Sequence, residues 1–145
     1  MKEDFLYLAW ERRLYHPFNL CVTSGETLEI ISPGKRNPYS GPDYTCATIK
    51  INEQVFFGDV EIHVRASDWY AHNHHLDATY NNIILHVVYD NDKLVMNKNN
   101  QSPISWDISG YLFEKIEKLK INLYKHKLNL SCGKNVSIFN GLVDW

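Results

Sequence analysis

An almost wholly apolar run, residues 83–89, is the feature that most limits how this chain can fold. A strand with one solvated face would alternate apolar and polar side chains, whereas this run is apolar at nearly every position. Such a run predicts a strand that is buried on both faces. We therefore expect it to lie inside a mixed central sheet.

The other patterns predict the elements around that strand, and Asn52-Glu53 marks the turn of a hairpin. In chain order they are a helix over 3–15 that ends before Pro17, strands over 27–32, 44–51 and 55–64, a helix over 69–80, and the buried strand. This α-β-β-β-α-β order predicts the α/β (α+β) class, with helices flanking the sheet.

Weaker signals follow the buried strand. Residues 93–96 predict an edge strand, which could pair with a copy of itself. Residues 104–108 predict another short strand, and residues 110–128 predict a C-terminal helix with lysines outside. A chain of 145 residues fits a single domain, which we place at 1–128, followed by a tail over 129–145.

Two carboxylates stand on neighbouring predicted strands. Asp43 opens one strand, and Glu61 lies in the next, where alternation puts it on one face with His63 and Arg65. We expect the opposite, apolar face to be the core face. If the hairpin brings Asp43 to Glu61, the pair could share a divalent cation that activates water and stabilises a phosphate. His63 would be a ligand, a proton shuttle or a donor to the leaving oxygen.

A simpler interpretation of these residues stays open. Gly-Pro-Asp is a common turn sequence, in which the aspartate accepts hydrogen bonds from local backbone. Acidic and basic residues that alternate along a strand also occur on ordinary solvated faces.

The element order, together with Gly41-Pro42-Asp43 and Glu61-Ile62-His63, resembles the PD-(D/E)xK nuclease superfamily. The resemblance implies a restriction-endonuclease-like αβββαβ core and a Mg²⁺- or Mn²⁺-dependent phosphodiesterase acting on nucleic acid. Asp43 and Glu61 would hold the cation. His63 replaces the lysine of that pattern, so Lys50 or Arg65 would supply the missing charge, or the domain would bind nucleic acid without cleaving it.

Longer blocks of the chain are similar to an uncharacterised bacterial family of domains of unknown function (number 2851). These blocks are residues 37–43, 58–63, 67–72 and 80–88. The similarity runs from about residue 3 to 108 and implies no established activity.

Histidines crowd the region after Glu61. On a helix, His72 and His75 would share a face with Asp68. Imidazoles with carboxylates suit Zn²⁺, Mn²⁺ or Fe²⁺. If His63 and His72 line the same cleft as the carboxylates, the expected cation shifts from Mg²⁺ toward Mn²⁺ or Zn²⁺. The predicted metal ligands are Asp43, Glu61, His63 and His72, and a His/Asp metal-binding domain without catalysis is the alternative.

His86, in the buried strand, more simply fits a core histidine that hydrogen-bonds a buried polar group, from the first helix or from Asp77. The loop before Asp43 offers the predicted substrate contacts. Lys35 and Arg36 would meet phosphate, and Tyr39 would stack on a base.

The bulk composition limits the function classes. The net charge is −2 and the isoelectric point is about 6.4, which gives no global electrostatic case for nucleic acid, so a local basic patch would be required. The three cysteines form no CxxC pair, which indicates a reducing, cytoplasmic setting. The sequence contains neither a signal peptide nor an apolar run long enough to span a membrane.

Overall fold

The computed structural model describes residues 1–113, and the statements below concern that part of the chain. Its α-helices are α1 (Glu3–Arg12) and α2 (Asp68–Ala71), and its strands are β1 (Leu28–Ser32), β2 (Lys35–Arg36), β3 (Tyr44–Ile51), β4 (Gln54–Arg65), β5 (Ile83–Asp90) and β6 (Ser105–Asp107). Short 3-10 helices span His74–Leu76, Ala78–Tyr80 and Ile108–Gly110.

The strands of the described residues form one mixed sheet in the order β1-β3-β4-β5-β6, with β2 also paired to β3. The pairs on the β1 side, up to β3 with β4, are antiparallel. Strand β4 pairs in parallel with β5, and β5 with β6. The apolar run therefore has a neighbour on each side, and Leu85 and Val87 in it are fully buried. The predicted α/β (α+β) class is confirmed.

Both faces of the sheet are covered where β4 meets β5. On one face, Trp10 of α1 packs with its ring centroid 6.4 Å from that of Tyr44 and 6.5 Å from that of Trp106. On the other, Trp69 of α2 packs in a cluster with Tyr80 and others. Each buried indole of α1 and α2 donates its N–H to a backbone carbonyl, at 3.0 and 3.1 Å. The two tryptophans thus fix one helix on each side of the sheet.

Helix α1 is shorter than the sequence predicts. It ends at Arg12, because Arg13 takes the left-handed conformation (φ 54°) and its N–H bonds back to the carbonyl of Ala9. This is a common way for a helix to end, and it stops α1 well before the proline that was expected to do so.

The predicted helix over 69–80 is wrong. Only Asp68–Ala71 is α-helical, because Asn73 is left-handed (φ 61°) and breaks the chain direction. Asp77 is extended, and its side chain accepts the N–H of Thr79 to start the last 3-10 turn. Asn and Asp favour such positions because their short polar side chains bond to nearby backbone.

The predicted edge strand over 93–96 is also wrong. The hydroxyl of Tyr70 donates to the carbonyl of Leu94 at 3.3 Å and accepts the N–H of Met96 at 3.0 Å. The indole N–H of Trp69 donates to the Met96 carbonyl. Backbone groups that a strand would use for pairing are therefore bonded to side chains of the α2 region. Strand β6 forms that edge of the sheet instead.

The predicted C-terminal helix does not begin at Gly110, which ends a 3-10 helix and is followed by a turn at Tyr111. The remainder of that prediction, and the predicted tail over 129–145, lie outside the described residues. Within residues 1–113, no helix is long and apolar enough to cross a membrane.

Gly58 in β4 lets the start of β5 approach closely. The register of the hairpin shifts in β3 between Tyr44 and Ala47, where Cys46 is left-handed (φ 59°). A Cβ at Gly58 would lie 2.7 Å from Ile84 Cγ2 and 2.9 Å from the carbonyl oxygen of Asn82. We expect Gly58→Ala to lower the free energy of unfolding by about 1–3 kcal/mol, because backbone must move. Urea unfolding followed by circular dichroism measures this.

The matched control is Gly110→Ala, since a Cβ there meets nothing within 4 Å. We expect that variant to stay within roughly 0.5 kcal/mol of the unmodified protein. Equal midpoints for both variants would contradict the close approach at Gly58.

Candidate metal centre

Asp43 and Glu61 bind each other through both backbone and side chains. The antiparallel register pairs Tyr44 with Val60, so Asp43 and Glu61 lie side by side across the β3–β4 hairpin. The N–H of Asp43 donates to Glu61 Oε1 at 3.0 Å, and the N–H of Ile62 donates to Asp43 Oδ2 at 2.8 Å. The structure therefore brings the two sequence-predicted carboxylates together, and each strand end fixes the carboxylate of the other.

The face of β4 that carries Glu61 is not solvated, contrary to the sequence-based expectation of a single apolar core face. Glu61 is 3% exposed and His63 is 1% exposed. The residues of α2 and the 3-10 turns that follow it lie over this face, with Trp69 fully buried. Only Arg65, the third member of the alternating set, is exposed. The acidic site is thus built inside the protein.

Two histidines, His63 and His74, lie at the second oxygen of Glu61, and His72 lies beside His63. His74 Nε2 lies 2.6 Å from Glu61 Oε2, and His63 Nε2 lies 3.5 Å from the same oxygen. His72 Nδ1 is 3.3 Å from His63 Nε2. One nitrogen from each of His63, His72 and His74 falls within 4.8 Å of the other two, and this group could hold a metal ion. His63 and His74 are buried, whereas His72 is exposed.

His72 lies beside His74, and not beside His75 as a helix over 69–80 would require. The structure turns His74 inward and leaves His75 against the ring of Tyr70, with 4.9 Å between the ring centroids. The left-handed Asn73 causes this exchange. The sequence contains a signal for this turn, because asparagine takes the left-handed conformation more readily than most residues do.

His86 lies directly behind His63, so the predicted partners from the first helix or from Asp77 are wrong. His63 Nδ1 and His86 Nε2 are 2.8 Å apart, and His86 is fully buried in β5. The parallel register sets this contact, since Glu61 pairs with His86 across β4 and β5. The ring of His74 stacks on Tyr80 with centroids 3.7 Å apart. Packing therefore fixes the rings of His63 and His74.

Burial shifts the pKa values of Asp43, Glu61, His63 and His86 so that the neutral form of each group is favoured. Burial, reinforced by the neighbouring charge of Glu61, raises the pKa of Asp43 to about 7. Burial likewise raises the pKa of Glu61 to about 7. Burial and the neighbouring imidazoles lower the pKa of His63 to about 2, and that of His86 to about 3. Neutral imidazoles keep the lone pairs that a metal ligand needs.

Arg36 is bound to the acidic site rather than free to meet phosphate. Its Nη1 lies 3.5 Å from Asp43 Oδ1 and donates to the backbone carbonyls of Asn37 and Asp43, at 2.8 and 2.9 Å. The guanidinium lies 4.2 Å from the centre of the Tyr7 ring. The hydroxyl of Tyr7 lies between Glu3 and Asp43 Oδ1, with 3.2 Å to the latter. Strand β2 and helix α1 thus close this side of Asp43.

The two residues predicted to replace the missing lysine lie away from the carboxylates. Lys50 is opposite Val55 near the hairpin turn and pairs with Glu53 at 3.5 Å. It is six residues along β3 from Tyr44, which corresponds to roughly 20 Å of extended chain. Arg65 is four residues beyond Glu61 in β4, or roughly 13 Å. The structure does not bring either cation to the acidic pair.

The remaining predicted substrate contacts face solvent. Tyr39 is 83% exposed in the loop before Asp43, and its N–H donates to the side chain of Asn37 at 3.1 Å. Lys35 is exposed in β2. Both lie on the chain segment that leads into Asp43.

Fold and site together define a mixed α+β domain with a cluster of two carboxylates and four histidines beside the junction of antiparallel and parallel strands. The cluster is largely buried, with His72 on its exposed side. A family model described as "Protein of unknown function (DUF2851)" matches residues 3–143, so the chain belongs to this family. No curated protein and no solved structure matches the chain.

The shifted Glu61 carboxyl predicts a pH dependence of stability. Its pKa rises from 4.5 to about 7 on folding, so the stability that this proton contributes is complete below pH 4.5 and is lost as the pH rises through 7. Glu61→Gln carries no such proton. We therefore expect the free energy of unfolding of metal-free Glu61→Gln, minus that of the metal-free unmodified protein, to increase as the pH rises from 4.5 to 7. The increase should be on the order of 2 kcal/mol.

Chemical denaturation of chelator-treated proteins across this pH window measures the difference. Glu53→Gln is the control, because the Glu53 side chain is 95% exposed and its charge is solvated in both states. A difference for Glu61→Gln that is flat with pH, or that shrinks as the pH rises, would show that Glu61 is ionised in the fold.

Proposed function

We propose that this domain is a metal-dependent phosphodiesterase that acts on nucleic acid, with its divalent cation held at the cluster around Glu61. The observation that carries the proposal is that the two oxygens of this carboxylate have different partners. Oε1 accepts the N–H of Asp43 at 3.0 Å, and Oε2 lies 2.6 Å from His74. An acidic pair and an imidazole group therefore meet on one side chain.

The arrangement of elements supports the same proposal. Helix α1, the antiparallel strands β1, β3 and β4, and the parallel strand β5 after a crossover follow the αβββαβ order that the resemblance to the PD-(D/E)xK nucleases implies. Asp43 precedes the first strand of the hairpin and Glu61 lies in the second. Helix α1 brings a further acid, Glu3, to Asp43 through the Tyr7 hydroxyl.

The residues of the cluster have separate roles in this proposal. A bound divalent cation would polarise the phosphate and lower the pKa of an attached water. The Asp43 side chain is 16% exposed, and His72 is exposed, so the substrate approaches from their side. With a pKa near 7, Asp43 can accept or release a proton close to neutral pH. His63, neutral and buried, would donate a nitrogen lone pair to the metal and would not supply a fixed positive charge.

A non-catalytic metal-binding domain is the second candidate. The burial of Glu61, His63 and His74 favours it, because closed sites are typical of structural metals. The engagement of Arg36 with backbone carbonyls also favours it, since this cation is then not free for phosphate.

Plasmid nicking and oligonucleotide cleavage with Mg²⁺, Mn²⁺ or Zn²⁺ test the leading proposal. We expect cleavage by the unmodified protein and a loss of roughly a hundredfold or more in Glu61→Gln and Asp43→Asn, because the first removes a ligand of the cation and the second removes the carboxyl that exchanges a proton beside it. Glu53→Gln, purified in parallel, should cleave normally. Equal cleavage by all four proteins would identify a contaminant, and metal binding without cleavage would leave the second candidate.

A further inference from the structure

We propose that the cation is a transition metal of the Zn²⁺ type held by four donors, Glu61 Oε2 and one nitrogen each of His63, His72 and His74, and that His72 is its exchangeable ligand. The inference rests on the proposed function only in requiring a bound cation. It holds for either candidate function, and it places Asp43 outside the coordination sphere.

The spacing of the donors fits one small cation. A tetrahedral Zn²⁺ site with bonds of 2.0–2.1 Å separates its ligand atoms by about 3.3 Å. The distance from His63 Nε2 to His72 Nδ1 is 3.3 Å, and that from His63 Nε2 to Glu61 Oε2 is 3.5 Å. The 2.6 Å contact from His74 to Glu61 would have to open by roughly 0.7 Å. A rotation of the Glu61 carboxylate is enough for that.

His74 carries a second, independent sign of a ligand. Its Nε2 is buried and makes no hydrogen bond in the described structure, even though Glu61 Oε2 is only 2.6 Å away. The nitrogen and the oxygen are close, but they are not aligned as donor and acceptor. Buried polar atoms are seldom left without a partner, and those that are call for an explanation. A shared cation explains both the closeness and the poor alignment.

The chemistry of the donors selects the metal class. Three imidazoles and one carboxylate suit Zn²⁺, Mn²⁺ or Fe²⁺, whereas Mg²⁺ prefers oxygen ligands and keeps several waters. Nitrogen donors outnumber the oxygen here, so Mg²⁺ should bind poorly.

Asp43 acts on the metal through Glu61, as a positioning residue. Its Oδ2 accepts the Ile62 N–H at 2.8 Å, and its Oδ1 faces the Tyr7 hydroxyl and Arg36 at 3.2 and 3.5 Å. Its own N–H holds Glu61 Oε1 at 3.0 Å, which leaves Oε2 directed at the histidines. Both Asp43 oxygens thus have partners other than a cation.

His72 differs from the other donors in how it is held. His63 is fixed by His86 at 2.8 Å, and His74 is stacked on Tyr80. His72 is exposed and follows a helix of only four residues. Among residues 1–113, its ring contacts are with His63 and His74 alone. His72 can therefore leave while three donors remain, and its departure opens a position on the solvent side, as catalytic zinc sites require.

The test uses the full chain without an affinity tag of histidines, stripped with chelator and reloaded with Zn²⁺, Co²⁺ or Mg²⁺. Elemental analysis and competition with a zinc indicator give stoichiometry and affinity, and the visible spectrum of Co²⁺ reports coordination number. We expect one Zn²⁺ or Co²⁺ per chain, no stoichiometric Mg²⁺, and the intense Co²⁺ bands of a four-coordinate site.

The variants separate the roles of the donors. His63→Ala should abolish stoichiometric binding. His72→Ala should keep one metal per chain with affinity lower by roughly ten- to a hundredfold and a weaker, higher-coordinate Co²⁺ spectrum. His75→Ala is the matched control, because this neighbouring histidine contacts Tyr70 and should leave affinity and spectrum unchanged. Asp43→Asn should retain one metal per chain, and Asp43→Ala should weaken it.

Three results would overturn the inference. They are stoichiometric binding of Mg²⁺ in preference to Zn²⁺, loss of the metal from Asp43→Asn, and an equal effect of His72→Ala and His75→Ala. The exposed His72 keeps the test informative even if His63→Ala does not fold, which circular dichroism would show. Four-coordinate Co²⁺ without nucleic-acid cleavage would support this inference while it overturns the phosphodiesterase proposal.

Discussion

The buried carboxylate of Glu61 is the group on which the rest of the site depends. Transfer of a charged carboxylate out of water is unfavourable unless other groups compensate it. The described structure provides an N–H from Asp43 and a close ring nitrogen from His74, while Arg36 reaches only the neighbouring Asp43. Both carboxyls consequently bind protons more tightly than usual. A divalent cation at Oε2 would remove that bias, which links the burial of Glu61 to the histidines around it.

The sequence predicts those parts of the fold that local patterns determine. The β3–β4 hairpin and the buried strand β5 follow from alternation, a turn at Asn52 and an almost wholly apolar run, and the structure has both elements. The region after Ser67 could not be predicted in this way. Its apolar spacing is compatible with a helix, but Asn73 takes the left-handed conformation and the extended Asp77 accepts the Thr79 N–H, and these two residues end the helix early. Tertiary contacts also prevent a strand at 93–96, where side chains of the α2 region hydrogen-bond the backbone groups that strand pairing would need.

The candidate site likewise contains residues that local sequence patterns indicate and residues that only the tertiary structure brings in. The sequence could indicate that Asp43 and Glu61 lie close together because they belong to the two strands of a predicted hairpin, and the register in the structure places them side by side. His74 and His86 could not be added, since one depends on a left-handed residue and the other on the parallel pairing of β4 with β5. The sequence also did not indicate which basic residue lies beside Asp43. Strand β2, which carries Arg36 to Asp43, is only two residues long, and two residues leave no periodic signal.

Histidine in place of lysine at position 63 changes which cation the cluster can accept. A lysine at a position that is 1% exposed would need Glu61 as its counter-ion, and its charge would compete with a metal for the same oxygens. A neutral imidazole does not compete with a metal for the Glu61 oxygens, and its nitrogen is itself a metal ligand. With His86 behind it and His74 beside it, His63 belongs to a nitrogen-rich set that favours a transition metal over Mg²⁺. If the cluster binds a transition metal as proposed, the histidine that departs from the nuclease-like motif is the residue that determines this metal chemistry.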